Sequence, residues 1–129
     1  MRNEGIYAIM NETINLGPFG EEKAAEYLAS NGYTILCRNF RCKCGEIDIV
    51  ATNKDSPGLI IFIEVKTRRN RSFGLPCEAV TGYKLARIRK VIKVYAAIKR
   101  CKNENFRIDV IEILILNKKN YIRHLKNVG

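Results

Sequence analysis

The spacing of apolar positions changes period at Gly32, and that change divides the first half of the chain into elements. Ala24, Ala25, Leu28 and Ala29 recur at helical spacing and predict a helix over residues 21–31, closed by Gly32 as its C′ residue. Gly17-Pro18-Phe19-Gly20 ahead of it reads as a turn. Glu21 and Glu22 then fall in the first helical turn, where the dipole favours acids. From Tyr33 the period becomes two. Tyr33, Ile35 and Cys37 alternate with Thr34, Leu36 and Arg38, predicting a strand over residues 33–40. After a break at Cys44-Gly45, residues 46–51 read as a second strand, and residues 53–58 as a loop. Residues 59–65 form a third strand, in which Leu59, Ile61, Ile63 and Val65 face one way and Ile60 and Phe62 the other. A strand apolar on both faces belongs at the centre of a sheet covered on both sides.

In the second half, residues 68–76 read as a basic loop and residues 78–80 as a short turn. Thr81 is placed to cap a long helix reaching about residue 100, with Leu85, Ile88, Val91, Ile92, Tyr95, Ala96 and Ile98 as its apolar stripe. Strands over residues 106–116 and 121–125 follow, joined by a turn at residues 117–120. The order is α-β-β-β-α-β-β, an α/β fold with a mixed sheet. Residues 1–16, weakly periodic, read as an N-terminal extension to a single domain over residues 17–129.

Composition narrows the classes. The 129 residues include 23 Lys+Arg and 13 Asp+Glu, for a formal charge of +10. That length suits one domain with its own core. No apolar run approaches the ~18 residues of a membrane span. The first sixteen residues also lack the pattern of a secretory signal, so a cytoplasmic protein with no membrane role is expected. The excess of positive charge favours a polyanionic partner, nucleic acid above all. It is concentrated: no acid occurs between Glu78 and Glu104, a stretch holding Lys84, Arg87, Arg89, Lys90 and Lys93, and Lys66, Arg68, Arg69 and Arg71 form a second cluster. Five cysteines in a chain with no export signal read as reduced thiols. Cys42 and Cys44 have no second pair to complete a zinc site, and the one histidine, His124, stands near the far end. His124 reads as a packing or surface residue, and Asp109, beside Arg107, as half of a buried or half-buried ion pair.

The chemistry lies in the second and third strands. Glu46 and Asp48 share one face of the second strand, and Glu64 and Lys66 one face of the third, continuing the face of Phe62. Ionisable groups at the end of an apolar strand carry a desolvation cost. If the strands are neighbours, Asp48 and Glu64 converge on one hard cation, Mg²⁺ or Mn²⁺, to which the Val65 backbone carbonyl adds an oxygen. Lys66 then stands where it can orient or deprotonate a water, or offset charge on a scissile phosphate. As an isolated motif E-x-K is common and equally describes solvent-facing strand ends; the spaced set of I-D-I, E-V-K and basic loop is the stronger signal.

Gly20-Glu21, Arg38-Asn39-Phe40-Arg41, Gly45-Glu46-Ile47-Asp48-Ile49, Phe62-Ile63-Glu64-Val65-Lys66-Thr67-Arg68, Phe73-Gly74 and Glu78-Ala79-Val80-Thr81 with Lys84 together resemble the YraN-like family of small bacterial proteins. That family is similar to Holliday-junction resolvases and to the PD-(D/E)XK, restriction-endonuclease-like nucleases. The resemblance spans about residues 17–125. It implies an α-β-β-β-α-β core with a mixed central sheet flanked by helices. It also implies that Asp48, Glu64 and Lys66 match the D…E-x-K triad, and that Glu21 matches an additional metal-binding acid. The expectation is a metal-dependent endonuclease acting on DNA, branched or damaged DNA included, in which Arg68, Arg69, Arg71, Lys84 and Arg87 grip phosphates and a two-fold homodimer suits a junction. The alternatives are a nucleic-acid-binding protein on a nuclease-like scaffold without turnover, and a protein whose basic surface meets an acidic partner. The resemblance leaves the biological role open.

Overall fold

The computed structural model describes residues 16–69, 82–101 and 105–129. The expectations for Arg71, Phe73, the 78–80 turn, the Thr81 cap and residues 1–15 lie outside them. The elements run α1 (Leu16–Ser30), β1 (Tyr33–Cys42), β2 (Gly45–Asn53), β3 (Leu59–Arg68), α2 (Gly82–Lys99), β4 (Asn105–Leu116) and β5 (Lys119–Leu125). The five strands form one sheet in the order β1-β2-β3-β4-β5, antiparallel except where β3 and β4 run parallel. This is the mixed α/β core that both the periodicity and the resemblance to restriction-endonuclease-like proteins implied. The parallel pair follows from α2: a helix between β3 and β4 carries the chain back across the sheet.

β3 is the central strand, as its two apolar faces required. On one face Ala24 and Leu28 of α1 pack over Ile49, Ala51, Ile61, Ile63, Ile111 and Ile113. On the other, Ile88, Val91 and Tyr95 of α2 pack over Val50, Phe62 and Ile108. The Tyr95 ring meets Phe62 and Phe40 edge-on at centroid distances of 5.3 and 5.2 Å. The turn of β4 into β5 is a two-residue loop with Asn117 at φ 50 and Lys118 at φ 65, the left-handed pair that matches strand twist.

α1 begins at Leu16, five residues ahead of the expected start. Pro18 lies in its first turn, where a missing N–H costs nothing. Gly20 serves a close approach and not a turn, since a Cβ there would fall inside the Thr67 side chain of β3. Glu21 and Glu22 consequently sit in the second turn. Gly32, at φ 84, ends the helix as expected.

A buried polar cluster fixes α1 to the last two strands. Asp109, fully buried, accepts two hydrogen bonds from Arg107 at 2.8 Å each and one from the Asn127 N–H at 2.9 Å. His124 Nε2 lies 2.7 Å from Asp109 Oδ2, and the Tyr27 hydroxyl of α1 lies 2.9 Å from His124 Nδ1. The ion pair of Arg107 and Asp109 is present as expected. His124, its side chain 5% exposed, is a member of the cluster and not a surface residue.

Candidate active site

The site begins where β2 parts from β3. Their ladder pairs Ala51 with Ile61, Val50 with Phe62 and Ile49 with Ile63, and ends there. Continued by one step, that register would set Asp48 directly opposite Glu64, and directly opposed residues share a face. In place of a ladder bond, the Val65 N–H donates to Asp48 Oδ2 at 2.7 Å. A charge-assisted bond of this kind contributes roughly 1.5–3 kcal/mol. It holds the Asp48 carboxylate across the mouth of the fork.

β1 carries a matching irregularity. Asn39, at φ 55, falls between the Arg38–Ile49 and Phe40–Ile47 pairs, opposite Asp48. Asparagine tolerates that left-handed backbone. The alternation of faces breaks at this level: Ile49 and Ala51 pack under α1, whereas Ile47, Phe40 and Cys42 pack against the α2 side. The end of the β1–β2 hairpin is thus turned toward α2, with Asp48 at the pivot. Irregularities of this kind re-aim side chains beside functional sites.

Asp48, Glu64, Val65, Lys66, Lys84 and Arg87 line one cavity of about 230 Å³ on the α2 face of the sheet. Glu64 is 8% exposed. Its Oε2 lies 2.5 Å from Lys84 Nζ and 3.7 Å from Lys66 Nζ. Burial, with the neighbouring Glu64 charge next in weight, pushes the Asp48 carboxyl up to about 7, against the opposing effect of the Val65 N–H. Glu64 also hydrogen-bonds Asp48, and the Glu21 charge adds a smaller push in the same direction. Burial and the adjacent Lys84 hold the Lys66 ammonium below its usual range, with Glu64 working the other way. For Lys84, burial lowers the value, but its bonds to Glu64 and Lys66 and the attraction of Glu64 outweigh it and the net shift is upward.

The structure therefore brings Asp48, Glu64, Lys66 and Val65 together. Glu21, half-buried on α1, acts on Asp48 through its charge without lining the cavity. Among the described residues, no three His, Cys, Asp or Glu side chains are grouped as metal ligands. Lys84, expected to grip phosphate, forms an ion pair with Glu64, a contact between distant elements that leaves no local signal in sequence. Arg87 is exposed at the rim, its guanidinium 5.9 Å over the Tyr83 ring. Tyr83 is 78% exposed. Arg68 and Arg69 stand half-buried at the end of β3. Glu46 pairs with Arg41 at 2.9 Å across the β1–β2 hairpin. Glu112 escaped the sequence reading. It lies in β4 in register with Lys66, 1% exposed, with Arg123 Nη2 3.0 Å from its Oε1. Its signal was available: an acid inside I-E-I of an apolar strand, the same cue that marks Asp48 in I-D-I.

One buried and one half-buried carboxylate, with two ammonium groups, at the forked end of a mixed sheet define an α/β protein with a paired-acid site. Uncharacterised protein family UPF0102 matches residues 20–113, and the chain belongs to it; this is the YraN family resembled in sequence. It is 52% identical over 110 residues to a UPF0102 protein of Clostridium acetobutylicum, covering 85% of this chain and 87% of that one. It is 46% identical over 107 residues to a UPF0102 protein of Caldicellulosiruptor saccharolyticus, covering 83% and 87%. Among solved structures, a repair endonuclease from Pyrococcus abyssi aligns with a TM-score of 0.41 at 15% identity, over 92% of this chain and 41% of that one. SfsA of Pyrococcus furiosus, solved in complex with Ca²⁺, aligns with a TM-score of 0.35 at 14% identity, over 84% and 60%. The chain thus spans less than two thirds of either solved protein.

Proposed function

We propose that this protein is a divalent-metal-dependent endonuclease that hydrolyses phosphodiester bonds in DNA, branched or damaged DNA included, in the cytoplasm. The observation that carries the reading is the opposition of Asp48 and Glu64 across the fork, in one cavity with Lys66. The donor set fits a hard cation. Both groups are carboxylates, and Asp48 is raised to about 7, first by burial and then by its like-charged neighbour; a bound cation would relieve that repulsion at Asp48. Asp48 and Glu64 would hold Mg²⁺ or Mn²⁺, with the Val65 carbonyl as a further oxygen and Glu21 adding negative charge from α1. Such an ion supplies Lewis-acid stabilisation of charge at the phosphoryl group.

The chain's own groups do the rest. Lys66, its ammonium destabilised by burial, can take a proton from an attacking water more readily than an exposed lysine. Lys84 offsets the charge of one Glu64 oxygen. Arg68, Arg69, Arg71 and Arg87 contact phosphates, which supplies affinity without base reading. A two-fold homodimer would present paired sites to a junction.

One observation favours a second reading, nucleic-acid binding without turnover. Both lysines crowd the same oxygen of Glu64, the atom a metal would need. Incubation of the purified protein with plasmid, single-stranded and four-way-junction DNA separates the two. With Mg²⁺ or Mn²⁺, cleavage is expected that chelator, Asp48→Asn and Lys66→Ala each abolish while binding survives. Binding with no cleavage under any divalent cation would establish the second reading, and cleavage that survives both substitutions would place the chemistry elsewhere.

A further inference from the structure

Strand register carries the face of the cavity outward across β4 and β5. On that face Glu64 is in line with Val110 and Leu125. Lys66 is in line with Glu112 and Arg123, and Arg68 with Leu114 and Tyr121. Leu116 and Lys119 form the last row. Lys119, Tyr121 and Arg123 therefore stand in one column on β5, on the side of the sheet that holds Asp48 and Glu64. Successive members are ~7 Å apart, two residues of an antiparallel strand. Lys119 is exposed, Tyr121 48% exposed and the Arg123 side chain 49% exposed. Glu112, buried beneath that face, forms an ion pair with Arg123 at 3.0 Å.

The surroundings select the occupant. From Ile113 to Gly129 the chain has no acid, while Lys118, Lys119, Arg123 and Lys126 add positive charge. A column of cation, aromatic ring and cation matches a strand that alternates phosphate and base. A duplex could use only the cations, because its bases are stacked within it; an exposed ring is used by an unpaired base.

We propose that Lys119, Tyr121 and Arg123 form a contact strip for an unpaired stretch of nucleic acid running from the Asp48–Glu64 cavity, with phosphates on Lys119 and Arg123 and a base stacked on Tyr121. The path rests on the nuclease reading above; the strip's affinity needs no turnover. The test measures binding of the full chain, in chelator, to labelled oligothymidylate and to a blunt duplex of equal length over a range of salt. Tyr121→Ala is expected to weaken oligothymidylate binding about tenfold and duplex binding less than about twofold. Lys119→Gln should weaken both and lower the salt slope by about one. Lys54→Gln, an equal charge change in the loop between β2 and β3, is the control and should leave single-strand affinity within about twofold. The strip is refuted if Tyr121→Ala binds oligothymidylate as the unaltered protein does, if Lys54→Gln costs as much as Lys119→Gln, or if polyglutamate binds as well as oligothymidylate. Unaltered Tyr121→Ala affinity alongside metal-dependent cleavage defeats the strip alone. The expected losses in a protein that cleaves nothing uphold the strip and defeat the nuclease reading.

Discussion

Replacing Asp48 with asparagine should make the metal-free protein more stable at neutral pH, although it removes a residue of the site. The native carboxyl, raised from 3.8 to about 7, binds its proton more tightly than the unfolded chain does. Between pH 4 and 7 the native state therefore holds more protons, and this group's contribution to stability falls as pH rises. At ~1.4 kcal/mol per pH unit the ceiling is about 4 kcal/mol. Part of the effect belongs to the Asp48–Glu64 pair jointly, and Asp48→Asn also forfeits the attraction to Lys84. A net gain of about 2 kcal/mol is expected at pH 8, and none at pH 4, where both side chains are neutral. The amide oxygen still accepts the Val65 N–H. In thermal unfolding followed by circular dichroism with chelator present, a gain of that size raises Tm by about 6–10 °C at pH 8. A variant less stable than the parent at pH 8, or a difference constant from pH 4 to 8, would refute the claim that Asp48 is buried beside a like charge.

The other structural assignments are open to similar measurement. Asp109→Asn should cost roughly 3 kcal/mol at neutral pH, because it leaves Arg107 and His124 without their buried anion. Asp109 titrates below its usual range: its bonds to His124, Arg107 and the Asn127 N–H outweigh burial, the largest single effect, which opposes them. Its contribution is present above the unfolded value near 3.8 and lost as pH falls below it; urea titrations at pH 3 and 7 should show the gap closing at the lower pH. Asn39→Val places a β-branched residue at φ 55 and should cost about 1–2 kcal/mol, with Asn39→Gly within a few tenths. Equal stability of the two variants would mean the kink opposite Asp48 is not held by backbone preference.

The sheet, its central strand and the pairing of Asp48 with Glu64 were legible because each rests on side-chain periodicity, which strand geometry converts directly into faces. β3 carried two apolar faces and took the centre; I-D-I and E-V-K placed acids where apolar residues were due. What escaped depended on backbone detail or on contacts distant in sequence. The start of α1 at Leu16 turned on reading Gly20 as a turn residue, whereas the close approach of Thr67 explains it. The left-handed Asn39 breaks the alternation that placed Ile47 and Ile49 on one face. The Lys84 contact to Glu64 depends on how α2 crosses the sheet, which no local pattern encodes. His124 has a role only beside Asp109, 15 residues away, and Tyr27, 97 residues away.

The claim on which the functional account stands is that Asp48 and Glu64 make one seat for a divalent cation. Titration of the full chain with Mn²⁺ at neutral pH, followed by electron paramagnetic resonance of the free ion, tests it without requiring turnover. The account predicts that the unaltered protein takes up Mn²⁺ stoichiometrically with its sites and that Asp48→Asn and Glu64→Gln each lose that uptake while remaining folded. Uptake unchanged by both substitutions, or none by the unaltered protein, would contradict it.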